Sequence, residues 1–388
     1  MDFPAVDAAL QAAIAGEQLA GTSYTVFRAN EVLARKCLGW ADREAEVAVR
    51  EDHLFRAFSN TKLVTSCAAL QLMEQGRFGL DDPVSRYIPA LEGLRVLRPG
   101  ATSIEDTEPA REPVRVRHLL THTAGFTYGF TQPDAPISKA YNEARVLHPG
   151  RDLAHMMEAL ATVPLLFQPG SAWNYSVATD VVGRLVEVVS GQKLDDYFRQ
   201  HIFAPLGMHD TFFAVPPDRQ ARLAALYIGS LKEPLRPGLR RADNLPYEGA
   251  YLKSVPFLGG GGGLVTSLAD YTALVRAMLQ GGAPLLRPQT MELVTRNQLP
   301  EGMWIQFPGQ PPQVGRGHSL AAAVVVQETP GVALAEGQVY WGGLAGTKWF
   351  FSPREDLGAV LMTQRYMGSD LPFWPEFLRA LRTDLRAS

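Results

Sequence analysis

Apolar residues recur along the chain at two different periods, and the change of period divides it. In MDFPAVDAALQAAIAGEQLAG, Val6, Leu10 and Ile14 fall at helical spacing, which predicts an amphipathic helix. GTSYTVFRANEVLARKCLG then reads as two strands joined at Arg28, Ala29 and Asn30. FRAFSNTKLVTSCAALQLMEQGRFGLDD carries the next helix, ended by Gly76 as a C′ residue. From about Asp81 to Val255, prolines and loops alternate with helical segments such as DLAHMMEALATV and ATDVVGRLVEVVSG, without regular strand alternation. FLGGGGGLVTSLADYTALVRAMLQGG is a glycine turn into a helix, where Ser267 and Asp270 are predicted to form a capping box. The last third returns to strands in SLAAAVVVQ, GQVYWGG, TKWFFSP and GAVLMTQR, spaced as hairpins and so as an antiparallel sheet. PEFLRALRTDLRA closes the chain as a helix.

This order predicts an α/β (α+β) fold. One antiparallel sheet is assembled from both ends of the chain, residues 1–77 and 255–388, and flanked by the terminal helices. A mostly helical domain, residues 78–254, packs against it. At 388 residues, 46% hydrophobic and 20% charged, the chain has ample apolar material for such a core. A net charge of −3 with no basic block argues against nucleic acid or an anionic membrane as partner. Two cysteines, Cys37 and Cys67, make neither a disulfide framework nor a zinc quartet and read as small hydrophobes. Asp2, Asp7, Gln11 and Glu17 interrupt the N-terminal apolar stretch, which lacks the basic start of an export signal. No apolar run is long enough to span a bilayer, so a cytoplasmic protein is expected.

The chemistry turns on serine. No G-x-S-x-G occurs, which argues against an α/β-hydrolase. S-x-x-K occurs twice. In SGQK, Ser190 ends a helix with Gly191 at C′, so Lys193 falls beyond it and does not stack over the serine. In SNTK, Ser59 begins a helix, and Lys62 shares its face at i+3. First-turn N–H groups stabilise an alkoxide and later an oxyanion. Taken alone, the pair is equally an ordinary serine N-cap. A lysine base also carries a difficulty. Its reference pKa is about 10.4, so burial and a proton-sharing partner must lower it by about three units, roughly 4 kcal/mol. Tyr175, in a Pro-Gly turn just before a helix, is a sensible partner, although a lone tyrosine more often only packs.

Taken together, SNTK, HLLTHTAGF, FQPGSAWNYS, VSGQKLDDYFRQHIFAPLGMHDT and GGGGGLVTSLADYTALVRAMLQGG resemble the serine β-lactamase and DD-peptidase superfamily. The likeness runs over nearly the whole chain in family order. It is greatest to class C β-lactamases and to the β-lactamase-like carboxylesterases called family VIII esterases. The resemblance implies a β-lactamase/transpeptidase-like fold with the active site between its two domains. It implies Ser59 as nucleophile, Lys62 as its proton acceptor, and Tyr175 sharing that proton and protonating the leaving group. Trp341, Gly342 and Gly343 match the place of the family's third motif, which commonly reads W-G-G in the esterase branch. The N–H of Leu344 then joins that of Ser59 in the oxyanion hole, and Tyr128 resembles an aromatic residue lining the acyl pocket. Two departures favour esters over β-lactams. Val177 replaces an asparagine that holds the lactam side-chain amide, and Trp341 replaces a cation that holds its carboxylate.

The expected activity is therefore hydrolysis of a small, short-chain carboxylic ester through an acyl-enzyme on Ser59, without metal or cofactor. A glycine run without a following G-K-[ST] argues against a phosphate cradle. The eight histidines include no H-E-x-x-H, and His122 reads as part of a structural turn. Acyl transfer to another acceptor, a weak β-lactamase, and a non-catalytic binding protein remain as rivals. Tyr128, Trp173, Trp341 and Trp349 suggest an apolar pocket. Oligomeric state is not readable from the chain.

Overall fold

The fold is seen in a computed structural model that describes residues 1–387. Its centre is an eight-stranded sheet, antiparallel at every step. From one edge the strands run Arg316–His318, Ala323–Val325, Val339–Gly342, Lys348–Ser352, Leu357–Thr363, Gly21–Phe27, Val32–Asp42 and Val47–Ala48. The first five come from the C-terminal third and the last three from the N-terminus, so Gly21–Phe27 pairing with Leu357–Thr363 closes the sheet. Every residue of those two strands is buried, because both sheet faces are covered there.

One face packs on the terminal helices. Val6 and Leu10 of Pro4–Ala15 meet Phe377 and Leu381 of Phe373–Ala387 over Tyr24 and Phe350. The N-terminal helix has no side-chain cap of its own. Asp384 of the C-terminal helix supplies one, accepting from the Ala5 and Val6 N–H groups at 3.1 and 3.0 Å. The opposite face packs on Leu268–Leu279, and the helix that follows the serine, Thr61–Glu74, packs against Ala178–Ser190. Eleven of the fourteen residues in Thr61–Glu74 are buried, so it is a central helix and not a surface one. Gly76, at φ +70°, takes the predicted C′ position.

Three details differ from the sequence reading. Ser267 does accept from the Asp270 N–H, but the Asp270 carboxylate turns to Thr211 and the Asp210 N–H, so only half the capping box forms. The region expected to lack strands holds short pairs, Arg95–Leu97 with Thr107–Pro109 and Tyr227–Ile228 with Arg240–Arg241. Trp349, expected near the cleft, is sealed in the core beside Tyr271 and Phe351. Among the described residues, no helix is long and apolar enough to cross a membrane.

Candidate active site

Strand Leu54–Arg56 pairs with Val265–Ser267 and delivers the chain into a single 3₁₀ turn, Phe58–Asn60, ahead of the helix at Thr61. Ser59 thus sits one turn outside the helix and makes no cap, which removes the N-cap reading. The turn is held from several sides. The Ala57 N–H donates to Leu264 O at 2.9 Å, Thr61 Oγ1 accepts from the Leu264 N–H at 3.1 Å, and Tyr271 Oη donates to Asn60 O at 2.9 Å. Phe58 is forced to φ +45°, a strained value for a non-glycine residue. Its ring is wedged edge-on between Tyr251 and Tyr366. The strain lies directly before Ser59 and fixes its direction.

Ser59 Oγ lies 2.6 Å from Tyr175 Oη and 3.4 Å from Lys62 Nζ. Lys62 is buried and donates to Tyr128 Oη at 3.0 Å and to Gly261 O at 2.7 Å. Its nitrogen also stands 4.6 Å from the centre of the Tyr175 ring. The structure thus brings Ser59 and Lys62, three residues apart, together with Tyr175 from 116 residues along the chain. Tyr128, expected only on the pocket wall, enters the proton network as well. Burial, with Tyr175 and Asp180 nearby, holds its phenol well above the ordinary value, so it remains protonated.

The sheet edge supplies the other wall. Gly343 lies so close to the serine turn that an added Cβ would overlap the Ala57 carbonyl oxygen and Thr347 Oγ1. A Cβ on Gly342 would press on the Lys348 side chain. These contacts bring the turn after Trp341 against the serine segment, with Leu344 next in the chain. Trp341 is half-buried, its ring 5.4 Å from that of Tyr175.

Around Tyr175 the surface is aromatic. Trp173 stacks on it at 6.4 Å, and Phe307 packs edge-on at 5.9 Å from a loop no motif pointed to. His122 and His318 close the back, 5.4 Å apart. Burial pushes His318 down to about 4 and His122 well below its ordinary value, so both are neutral. His122 is at φ +57° in its turn, with Nδ1 3.3 Å from Ser176 Oγ. Its carbonyl accepts from the Asn174 N–H, so its role is to hold the Tyr175 segment. Val177 is fully buried in the core and presents no polar group to the cleft. Asp180, Phe307 and His318 were not singled out from the sequence, whereas Gly261 belongs to the glycine run read there. Among the described residues, no group of three or more His, Cys, Asp or Glu could hold a metal ion.

Comparison with known proteins identifies the family of the chain. Residues 6–379 match the family described as Beta-lactamase. Protein Rv1367c of Mycobacterium tuberculosis (strain ATCC 25618 / H37Rv) is 33% identical over 89% of this chain and 86% of its own length. Esterase EstB of Burkholderia gladioli is 32% identical over 92% of this chain and 89% of its own. Among solved structures, EstCE1, a hydrolase with promiscuous acyltransferase activity, superposes with a TM-score of 0.82 at 27% identity, covering 97% of each chain.

Proposed function

Since the chain belongs to the beta-lactamase family of serine hydrolases, we propose that it cleaves carboxylic esters through an acyl-enzyme on Ser59. The observation that carries this reading is the close set of Ser59 Oγ, Tyr175 Oη and Lys62 Nζ, at 2.6 and 3.4 Å from the serine. Ser59 Oγ attacks the ester carbonyl as its proton passes to Lys62, with Tyr175 as the nearer bridge. The Ser59 and Leu344 N–H groups receive the oxyanion. The tetrahedral intermediate collapses, Tyr175 protonates the departing alkoxide, and water repeats the sequence on the acyl-serine. Likeness to an esterase over most of its length supports an ester as substrate. Val177, sealed in the core, offers no amide to a β-lactam, and Trp341 offers no charge to its carboxylate. The aromatic surface beside Tyr175 suits a small apolar ester.

The test compares wild type and Ser59→Ala on p-nitrophenyl butyrate. A loss of a thousandfold or more, about 4 kcal/mol of barrier, is expected, together with loss of labelling by a serine-directed phosphonate. Full activity in Ser59→Ala would end the assignment. Nitrocefin should turn over more slowly than the ester. Likeness to a hydrolase with acyltransferase activity supports a second reading, transfer to an alcohol. Product analysis with an alcohol present separates the two.

A further inference from the structure

Asp180 is a buried acid that the mechanism above does not use. It lies in the first turn of Ala178–Ser190, five residues after Tyr175, and is only 3% exposed. Its Oδ1 accepts from the Gly261 N–H at 2.8 Å, and the Gly261 carbonyl accepts from Lys62 Nζ at 2.7 Å. One glycine thus joins the carboxylate to the lysine. The fit is tight: a Cβ on Gly261 would stand 2.5 Å from Asp180 Oδ2, and one on Gly259 would stand 3.3 Å from Oδ1. The absence of side chains in this run lets the carboxylate lie flush against the backbone. Further bonds fix the run, from Thr65 Oγ1 to Gly260 O at 2.7 Å and from Tyr251 Oη to Gly262 O at 3.3 Å.

A carboxylate removed from water loses several kcal/mol of solvation unless something restores it. Burial raises the proton affinity of Asp180, and a positive charge on Lys62 acts in the opposite direction. We propose that Asp180 is a positioning residue for Lys62. Through Gly261 it aims the lysine nitrogen at Ser59, and through its charge it stabilises the ammonium formed when Lys62 takes the serine proton. In that step the Ser59 O–H bond breaks, an N–H bond forms on Lys62, and the Oγ–carbonyl carbon bond closes with the electron pair left on oxygen. The buried charge then faces the new ammonium, as the carboxylate of a Ser-His-Asp triad faces its imidazolium. The other groups near Lys62 do not supply a negative charge. Tyr128 is held as a phenol, Tyr175 is the bridge to Ser59, and His122 and His318 are neutral.

This inference rests on the ester-hydrolase reading, and the test keeps the two apart. The pH dependence of kcat/KM for p-nitrophenyl butyrate is measured for wild type, Ser59→Ala and Asp180→Asn, with thermal melting of each. The amide can still accept from the Gly261 N–H, so a purely structural role leaves the profile where it was. The proposed role predicts a fall in kcat of tenfold or more with KM little changed. It also predicts an acid limb moved to lower pH by about one unit, because a lysine without its carboxylate gives up its proton more readily. An unmoved limb overturns the proposal. Asp180→Ser, also neutral, is read by the same limb if the amide disturbs folding, and misfolding of both variants also overturns it by assigning Asp180 to the fold alone. If wild type hydrolyses no ester, the function reading falls instead. The limb is then read from phosphonate labelling of Ser59.

Discussion

Gly343 lacks a side chain because none fits between the serine turn and Thr347. The same close approach is what an oxyanion site needs, since two N–H groups from different segments must converge on one oxygen. Gly343→Ala should therefore push the strand turn off the serine segment. The expected result is a kcat lower by about a hundredfold, comparable to removing an oxyanion donor, with a smaller change in KM. Steady-state kinetics on p-nitrophenyl butyrate decide it; wild-type kcat in the variant would place the oxyanion elsewhere. This glycine was legible in the sequence because it stands in a short motif with Trp341. Asp180 was not, because its meaning comes from Gly261, 81 residues away, and no local spacing encodes that meeting.

The element that delivers Ser59 is a strand of only three residues, Leu54–Arg56, too short to show alternation. The long strands and amphipathic helices were readable because each repeats its period several times. This strand is instead specified by partners far along the chain. Arg56, 2% exposed, donates to Ala224 O at 2.7 Å and Gln364 Oε1 at 3.2 Å, and pairs with Asp243 at 3.0 Å. Gln364 Oε1 also accepts from the Arg56 N–H at 3.0 Å. Removing the arginine leaves the Ala224 carbonyl without this buried donor and opens a cavity in the core, while Asp243, one-third exposed, keeps Arg241 and the Leu226 N–H. Arg56→Ala should thus cost about 3 kcal/mol or more of stability, read as a lower urea midpoint at unchanged m. Activity should fall with it, since the serine turn Phe58–Asn60 begins two residues later. A midpoint within error of wild type would show that the network does not hold the strand.

At the scale of the whole molecule, buried histidines tie stability to pH. His318 and His118 are pushed down to about 4 and His122 well below its ordinary value, in each case chiefly by burial. An unfolded chain binds their protons near pH 6.5, while the native fold refuses them until about pH 4 or below. Between those values the unfolded state holds more protons, so stability falls as pH drops from 6.5 toward 4, by roughly 1.4 kcal/mol per unit for each histidine fully in play. Two buried acids, Asp180 and Asp270, are held above their ordinary range and oppose this trend as they protonate in the fold. A single-site comparison isolates the histidine contribution. His118 Nδ1 accepts from the Arg115 N–H at 3.2 Å, and an asparagine oxygen can take over that bond. Urea unfolding of wild type and His118→Asn at pH 7, 6, 5 and 4.5 should give the variant a shallower decline, less by about one proton. Equal slopes would mean that His118 accepts its proton in the fold as readily as in the unfolded chain. His318, beside Trp173 and Trp341, links the same acid loss to the active site. Activity should therefore fail in the pH range where the core around Tyr175 first takes up protons.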